Sequence, residues 1–333
     1  MALCAQQPFW LGADISGTTQ MEAHGTQLRN AKGEPRENTA LMRELGLNAV
    51  RLRVWVNPKD GFCSKDDVVA MARRAHNWGM AVMIDFHYSD WWADPGQQNI
   101  PAAWKEMSYA DMCKALAAHT REVLLAIREA GVDVKWVQVG NETTNGFLWP
   151  MGHIKDNMRQ YAGLTDAGYG AVKEVYPQAQ VIVHLDGGFD PARYDRVFDG
   201  LNSHRARYDM IGLSVYPYWD MKGKHTQSWQ ETVEKATANM NRLWQKYHKP
   251  MMVVETGAEA KKPVEGKQII AAVIDAARNH TGGHCQGVFY WAPEAQRHYS
   301  LGAFDNDRPT AIMEAFSEAS AKYKEQKGKK VKK

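Results

Sequence analysis

Two glutamates stand at the ends of short apolar runs in this chain of 333 residues. Glu142 closes Trp136-Val-Gln-Val-Gly-Asn-Glu142, and Glu255 closes Met251-Met-Val-Val-Glu255. Such runs read as strands buried on both faces of a parallel sheet. A carboxylate at the C-terminal end of a strand of that kind does nothing for the core beneath it. It sits on the face where α/β barrels place their chemistry. Two carboxyl groups in that setting can cleave a glycosidic bond, one giving a proton and one attacking, with the groups roughly 5–5.5 Å apart when configuration is retained.

The neighbours of the two glutamates fit that chemistry. A general acid must hold its proton near neutral pH, and apolar or anionic surroundings supply this for Glu142. Asn141 is placed to bond the sugar hydroxyl beside the reacting carbon. A nucleophile must stay ionised, which calls for positive charge near Glu255. Arg51 and Arg53 share one face of a strand with Trp55, while Val50, Leu52 and Val54 face the other way. Arginines aimed into a barrel need carboxylate partners, because a buried unpaired charge is very costly. Asp85, His87, His184 and Asp186 mark two further strand ends. They read as a hydrogen-bonding lining; a metal site is the lesser alternative, since no His-x-His or His-Glu-x-x-His spacing occurs. Tyr216 is placed to orient the nucleophile. Trp291 offers a flat apolar floor for a sugar's C–H face. Trp91, Trp92, Trp149 and Trp219 also fall near strand ends.

Eight strand-like segments are needed to position these groups, and eight occur: 9–15, 49–54, 81–86, 136–140, 180–185, 210–215, 251–255 and 286–291. Helical patterns alternate with them at 39–45, 65–78, 109–130, 155–175, 191–201, 229–247, 267–279 and 310–322. Gly46, Gly79, Gly131, Pro177 and Pro250 punctuate the helix-to-strand turns. Eight βα units in unbroken series predict an α/β fold, a single-domain (β/α)8 (TIM) barrel, over residues 1–323. The segment from Tyr88 to Trp104 is a long aromatic loop, and Phe147 and Trp149 lie after strand four. Such loops suggest a binding cleft.

Composition narrows the rest. The chain is 44% hydrophobic and 24% charged, ordinary for a globular protein. Its formal charge of +3 is misleading, because seven Lys and one Glu lie between Lys322 and Lys333 and the remainder is slightly acidic. Residues 324–333 therefore read as a basic disordered tail, and no nucleic-acid partner is expected. No stretch is long enough to span a bilayer. Cys4, Cys63, Cys113 and Cys285 include no Cys-x-x-Cys pair, so no zinc or redox motif is expected, and disulfide pairing is left open. The start at Met1 to Cys4 favours a mature chain whose export signal is gone, hence a secreted, periplasmic or cell-surface protein. A monomer without cofactor is expected.

Taken together, the segments Gly12-Ala-Asp-Ile-Ser16, Arg51-Leu-Arg-Val-Trp-Val-Asn-Pro58, His87-Tyr-Ser-Asp-Trp-Trp-Ala-Asp-Pro95, Gln138-Val-Gly-Asn-Glu142, Leu148-Trp-Pro150, Val253-Val-Glu-Thr256 and Gly287-Val-Phe-Tyr-Trp291 resemble the arabinogalactan endo-β-1,4-galactanases. These are retaining (β/α)8 glycosidases with catalytic glutamates after strands four and seven. The resemblance covers nearly the whole chain before the tail. It implies Glu142 as acid/base, Glu255 as nucleophile, Asn141, Arg51 and Tyr216 as their partners, Trp92 and Asp94 as substrate contacts, and Trp291 as the floor of the cleaved sugar's site. The implied substrate is β-1,4-galactan, a side chain of pectin. Departures are Trp91 in place of a small polar residue, Ala292 in place of Glu, and Gly-Ala-Glu-Ala after Thr256. The segment 256–266 has only Glu259 and Glu265 as acids, so the calcium loop of some members is not expected. Rival readings are a barrel glycosidase acting on mannan or β-glucan, an inactive sugar-binding barrel, and a metal-dependent hydrolase.

Overall fold

The computed structural model describes residues 8–295 and 299–331, with side chains to Glu325. Eight parallel strands form a closed barrel: β1 (Trp10–Asp14), β2 (Ala49–Val54), β3 (Ala81–Phe86), β4 (Val134–Val139), β5 (Gln180–Leu185), β6 (Met210–Val215), β7 (Met251–Thr256) and β8 (Cys285–Trp291). Each pairs with the next, and β8 closes on β1. The main helices between and after them are α1 (Asn38–Glu44), α2 (Lys65–Asn77), α3 (Tyr109–Glu129), α4 (Ile154–Val175), α5 (Pro191–Ser203), α6 (Trp229–Tyr247), α7 (Pro263–Asn279) and α8 (Ala311–Val331). The predicted (β/α)8 barrel is the observed fold.

Local sequence explains the helix limits. Ser64, Ser108 and Ser228 cap α2, α3 and α6 by accepting from backbone N–H groups three residues on. Gly46, Gly79 and Gly131 follow α1, α2 and α3 at positive φ, where glycine carries no steric penalty. Helix α7 begins at Pro263, earlier than the predicted 267, because proline's fixed φ suits a first turn. Two short helices were not foreseen, Thr18–Ala23 and Pro217–Lys222, both inside strand-to-helix loops. The backbone of α8 continues to Val331, through most of the segment read as a disordered tail. Lys and Glu are good helix formers, and the one glycine there is tolerated. Lys332, Lys333 and Cys4 lie outside the described residues, while Cys63, Cys113 and Cys285 carry free thiols.

The barrel interior is layered. Ala49, Met83, Trp136, Ile182, Met210, Met252, Val254 and Phe289 form an apolar plug within it. Leu11, Val50, Leu52, Ile84, Val137, Val183, Leu213 and Val253 point outward into the larger core shared with the helices. Above the plug, at the C-terminal ends of the strands, lie the buried polar residues Asp14, Arg51, Asp85, Gln138, His184 and Glu255. Strict alternation along β7 would turn Glu255 outward, since Met252 and Val254 face inward. A register shift intervenes: Leu213 pairs with Val253, but Ser214 pairs with Glu255. That bulge re-aims Glu255 into the barrel mouth.

Candidate active site

Arg51 is the hub of the mouth. It is 1% exposed and lies among five acidic or amide partners. Its Nη1 is 2.7 Å from Asp14 Oδ2, and its Nη2 is 2.9 Å from both Asp85 Oδ2 and Glu255 Oε1. Nη2 also donates to Asn141 Oδ1 at 2.7 Å, and Nε donates to Gln138 Oε1 at 2.7 Å. Only a planar guanidinium can address so many acceptors at once. Burial opposes its charge, but the three carboxylates raise its pKa above the ordinary value. Arg53 differs from expectation. Its Nη2 contacts Cys63 Sγ at 3.3 Å, and its guanidinium lies 3.9 Å over Trp92 and 4.8 Å over Trp55. At the rim, aromatic faces take the place of a carboxylate partner.

Glu255 accepts from Arg51 on Oε1 and from the Tyr216 hydroxyl on Oε2 at 3.1 Å. Burial raises its pKa, to about 7, and Arg51 opposes that rise. Glu142 lies on a strained turn, with φ at +46°. The turn starts at Gly140 (φ +89°), where a Cβ would meet Thr143 Cγ2 at 2.5 Å. Glu142 Oε1 accepts from the Ser214 hydroxyl at 2.6 Å. Desolvation by the surrounding protein, then the charges of Glu255 and Asp186, push Glu142 well above the ordinary carboxylate range. Glu255 therefore ionises first, and the pair's remaining proton stays on Glu142.

A relay of side chains fixes that proton's position. Gln138 accepts from Arg51, so its Nε2 donates to Asp85 Oδ1 at 3.1 Å and faces His184 Nδ1 at 3.0 Å. His184 Nε2 in turn lies 2.8 Å from Ser214 Oγ. One tautomer satisfies all of these: His184 accepts at Nδ1 and donates at Nε2, and Ser214 donates to Glu142. Burial, then the nearby Arg51, hold His184 well below its ordinary pKa, so it is neutral. With Oε1 receiving the serine, the acidic proton of Glu142 belongs on Oε2. Ser214 and Gln138 were not foreseen; their inward period-two positions on β6 and β4 were the available signal.

The structure separates the other sequence-derived site residues. Glu142, Glu255, Tyr216 and Trp291 line one hollow of about 350 Å³. Trp291 also lines a second hollow of about 580 Å³, together with Trp92, Arg53, Asp14 and Glu294. His87 and His184, read from sequence as a hydrogen-bonding lining for the glutamates and the sugar hydroxyls, have both ring nitrogens engaged by protein. His87 Nδ1 accepts from the Trp55 indole and from Ala93 N, leaving Nε2 to face Asp85 at 3.0 Å. Arg51 and Asn141 are also inward-facing positioning groups; Asn141 donates to Ala93 O at 2.8 Å. Asp94 accepts from Gly96 N, Gln97 N and the Gln97 side chain, so its carboxylate shapes its own loop. Phe147 and Trp104 are buried core, whereas Trp91 is exposed and stacked on Trp55. Glu259 and Glu265 both face Lys262. Among the described residues, no group of three or more His, Cys, Asp or Glu has a metal-holding arrangement.

The pattern of Glycosyl hydrolase family 53 matches residues 10–332. An arabinogalactan endo-β-1,4-galactanase of Humicola insolens is 30% identical over 332 residues, covering 93% of this chain and 97% of that protein. A probable arabinogalactan endo-β-1,4-galactanase A of Aspergillus fumigatus is 31% identical over 326 residues, covering 91% and 88%. A solved fungal β-1,4-galactanase chain superposes with a TM-score of 0.83 at 27% identity, covering 93% of this chain and 99% of that one. Because the match runs from the first barrel strand through the last helix and takes in both strand-end glutamates, the chain belongs to glycosyl hydrolase family 53.

Proposed function

We propose that this protein is an endo-acting β-1,4-galactanase that cleaves by double displacement with retention. The carrying observation is that Glu142 and Glu255 share one hollow but have opposite surroundings. Arg51 and Tyr216 hold Glu255 as an anion able to attack the anomeric carbon. Glu142, desolvated and beside other anions, keeps a proton for the leaving oxygen. Attack forms the bond from Glu255 to the sugar and breaks the glycosidic bond, whose oxygen takes the Glu142 proton. Glu142, now a base, takes a proton from water, which displaces Glu255 and restores both groups. Trp291 serves as the floor for the reacting sugar, and Trp92 extends the apolar surface beyond it.

The named relatives support galactan as the substrate. A polymer of that size is met outside the cell, so we place the enzyme there, acting as a monomer. Among the described residues, no helix is long and apolar enough to cross a membrane. The test is digestion of β-1,4-galactan, mannan and β-glucan, with products sized and their anomeric configuration followed by NMR. Galactan alone should yield oligosaccharides of retained configuration. Glu142→Gln and Glu255→Gln should each lose more than 10³-fold in kcat while staying folded. Inverted products, or substantial activity in either folded variant, would overturn the reading.

A further inference from the structure

The Tyr216 hydroxyl donates to Glu255 Oε2 at 3.1 Å. With its proton engaged there, its oxygen can only accept from any further partner. A donor stands in the segment between β8 and α8. Tyr299 lines the catalytic hollow together with Tyr216, Glu255 and Trp291. Its hydroxyl meets two polar groups, the Tyr216 hydroxyl and the Trp219 indole, and hydrogen bonding with each favours its ionised form. Burial, then the Glu255 charge, outweigh both and push the phenol above its ordinary range. Tyr299 therefore keeps its proton and is able to donate it.

The chain around Tyr299 is fixed on several sides. Ser300 O accepts from Ala260 N at 2.9 Å, and Leu301 O accepts from the Tyr290 hydroxyl at 2.7 Å. Leu301 itself is fully buried. A Cβ on Gly302 would clash with Ala295 O, so the backbone passes where only glycine fits. These anchors tie the segment to β8, which carries Trp291, and to the loop that follows Glu255. The Tyr299 ring meets Trp291 edge to face, with centroids 4.7 Å apart and planes at 72°. Ring and backbone together hold the hydroxyl beside Tyr216.

We propose that Tyr299 is a positioning residue for the nucleophile: its hydroxyl donates to Tyr216, whose own hydroxyl donates to Glu255. The direction of these bonds follows from the groups at the two ends. An indole N–H can only donate and a carboxylate can only accept, so the donors run from Trp219 through Tyr299 and Tyr216 to Glu255. A hydroxyl that accepts a hydrogen bond becomes a stronger donor. Tyr299 thereby strengthens the contact that keeps Glu255 ionised for attack. The same contact is regained when Glu255 departs from the sugar. The role of Tyr299 in turnover rests on the galactanase reading above; its effect on the Glu255 carboxyl does not.

The test titrates the Glu255 carboxyl by carbon NMR in the wild type and in Tyr299→Phe, with the signal assigned from Glu255→Gln. Phenylalanine keeps the ring against Trp291 and removes only the hydroxyl. Arg51, Asp85, Asp14 and Glu142 are the charged groups facing Glu255, and all of them stay in both proteins. Tyr299→Phe should raise the Glu255 midpoint by about half a pH unit, because the donor to the anion is weakened. On β-1,4-galactotetraose it should lower kcat/KM about fivefold in the wild type, and by less than about 1.5-fold in Tyr216→Phe, where the link is already gone. A Glu255 midpoint that stays in place, or equal losses in the two backgrounds, overturns this assignment. A shifted midpoint in a protein that does not turn over galactotetraose overturns the substrate reading and leaves the effect on Glu255 standing.

Discussion

Replacing Ser214 by alanine removes the one neutral side chain among the described residues that donates to the proposed acid. The Ser214 hydroxyl lies 2.6 Å from Glu142 Oε1 and favours the ionised form, so it lowers the acid's pKa against the larger effects that raise it. A hydrogen bond to a charged group is worth about 1.5–3 kcal/mol, and one between neutral groups about 0.5–1.5 kcal/mol. The difference, about 1 kcal/mol or slightly more, corresponds to nearly one pH unit at about 1.36 kcal/mol per unit. The sign follows directly: without the donor, the anion is less stable and Glu142 holds its proton to higher pH. The assay is kcat/KM against pH for the wild type and Ser214→Ala. The alkaline limb, which reports the acid, should move up by about one unit, while the acid limb, which reports Glu255, stays in place. Ser214→Thr keeps a hydroxyl and should return the limb toward its original position. An alkaline limb that stays still or moves down would refute the relay from His184 through Ser214 to Glu142.

Two further perturbations test the network below and beside the site. Arg51→Met leaves Asp14, Asp85 and Glu255 without their shared cation, at a cost of roughly 3–5 kcal/mol at pH 7. Burial alone would raise Asp85, yet Arg51 and His87 hold its pKa below the ordinary value. The stability Asp85 contributes is therefore present at neutral pH and lost as pH falls through its folded pKa. In the variant, burial acts on Asp85 without Arg51 to oppose it and raises its pKa, so the variant takes up a proton between pH 7 and pH 4 where the wild type does not. Its denaturation midpoint deficit should therefore shrink over that range, and an unchanging deficit would contradict the account. Glu294, beside the second hollow, is 2% exposed, and burial pushes its pKa up to about 8 from 4.5. Its contribution is full below about pH 4.5 and is lost as pH rises toward 8, so Glu294→Gln should be stabilising by roughly 2–4 kcal/mol at pH 8 and nearly neutral at pH 4.5. A melting-temperature gain that does not grow with pH would refute it.

Much of this molecule could be read from local pattern. Eight short apolar runs, each followed by a helical period and most of those by a Gly or Pro stop, specify a closed parallel barrel, because each signal is carried by neighbouring residues. Glu142 and Glu255 could be read for the same reason: a charge at the end of a buried run is visible without knowing what lies opposite. Alternation placed Arg51 inside the barrel and Val50 and Leu52 outside it. Tertiary structure alone decided the rest. A bulge opposite Ser214, created by pairing two strands, turned Glu255 inward against the period of its own strand. The same closure brought Gln138, His184 and Ser214, from three strands, into one chain of hydrogen bonds that ends on Glu142. It also engaged both nitrogens of His87 and His184 within the protein and gave Arg53 an aromatic bed. These outcomes depend on distances between segments far apart along the chain. Periodicity within a segment carries the direction of a side chain but not the identity of what it meets.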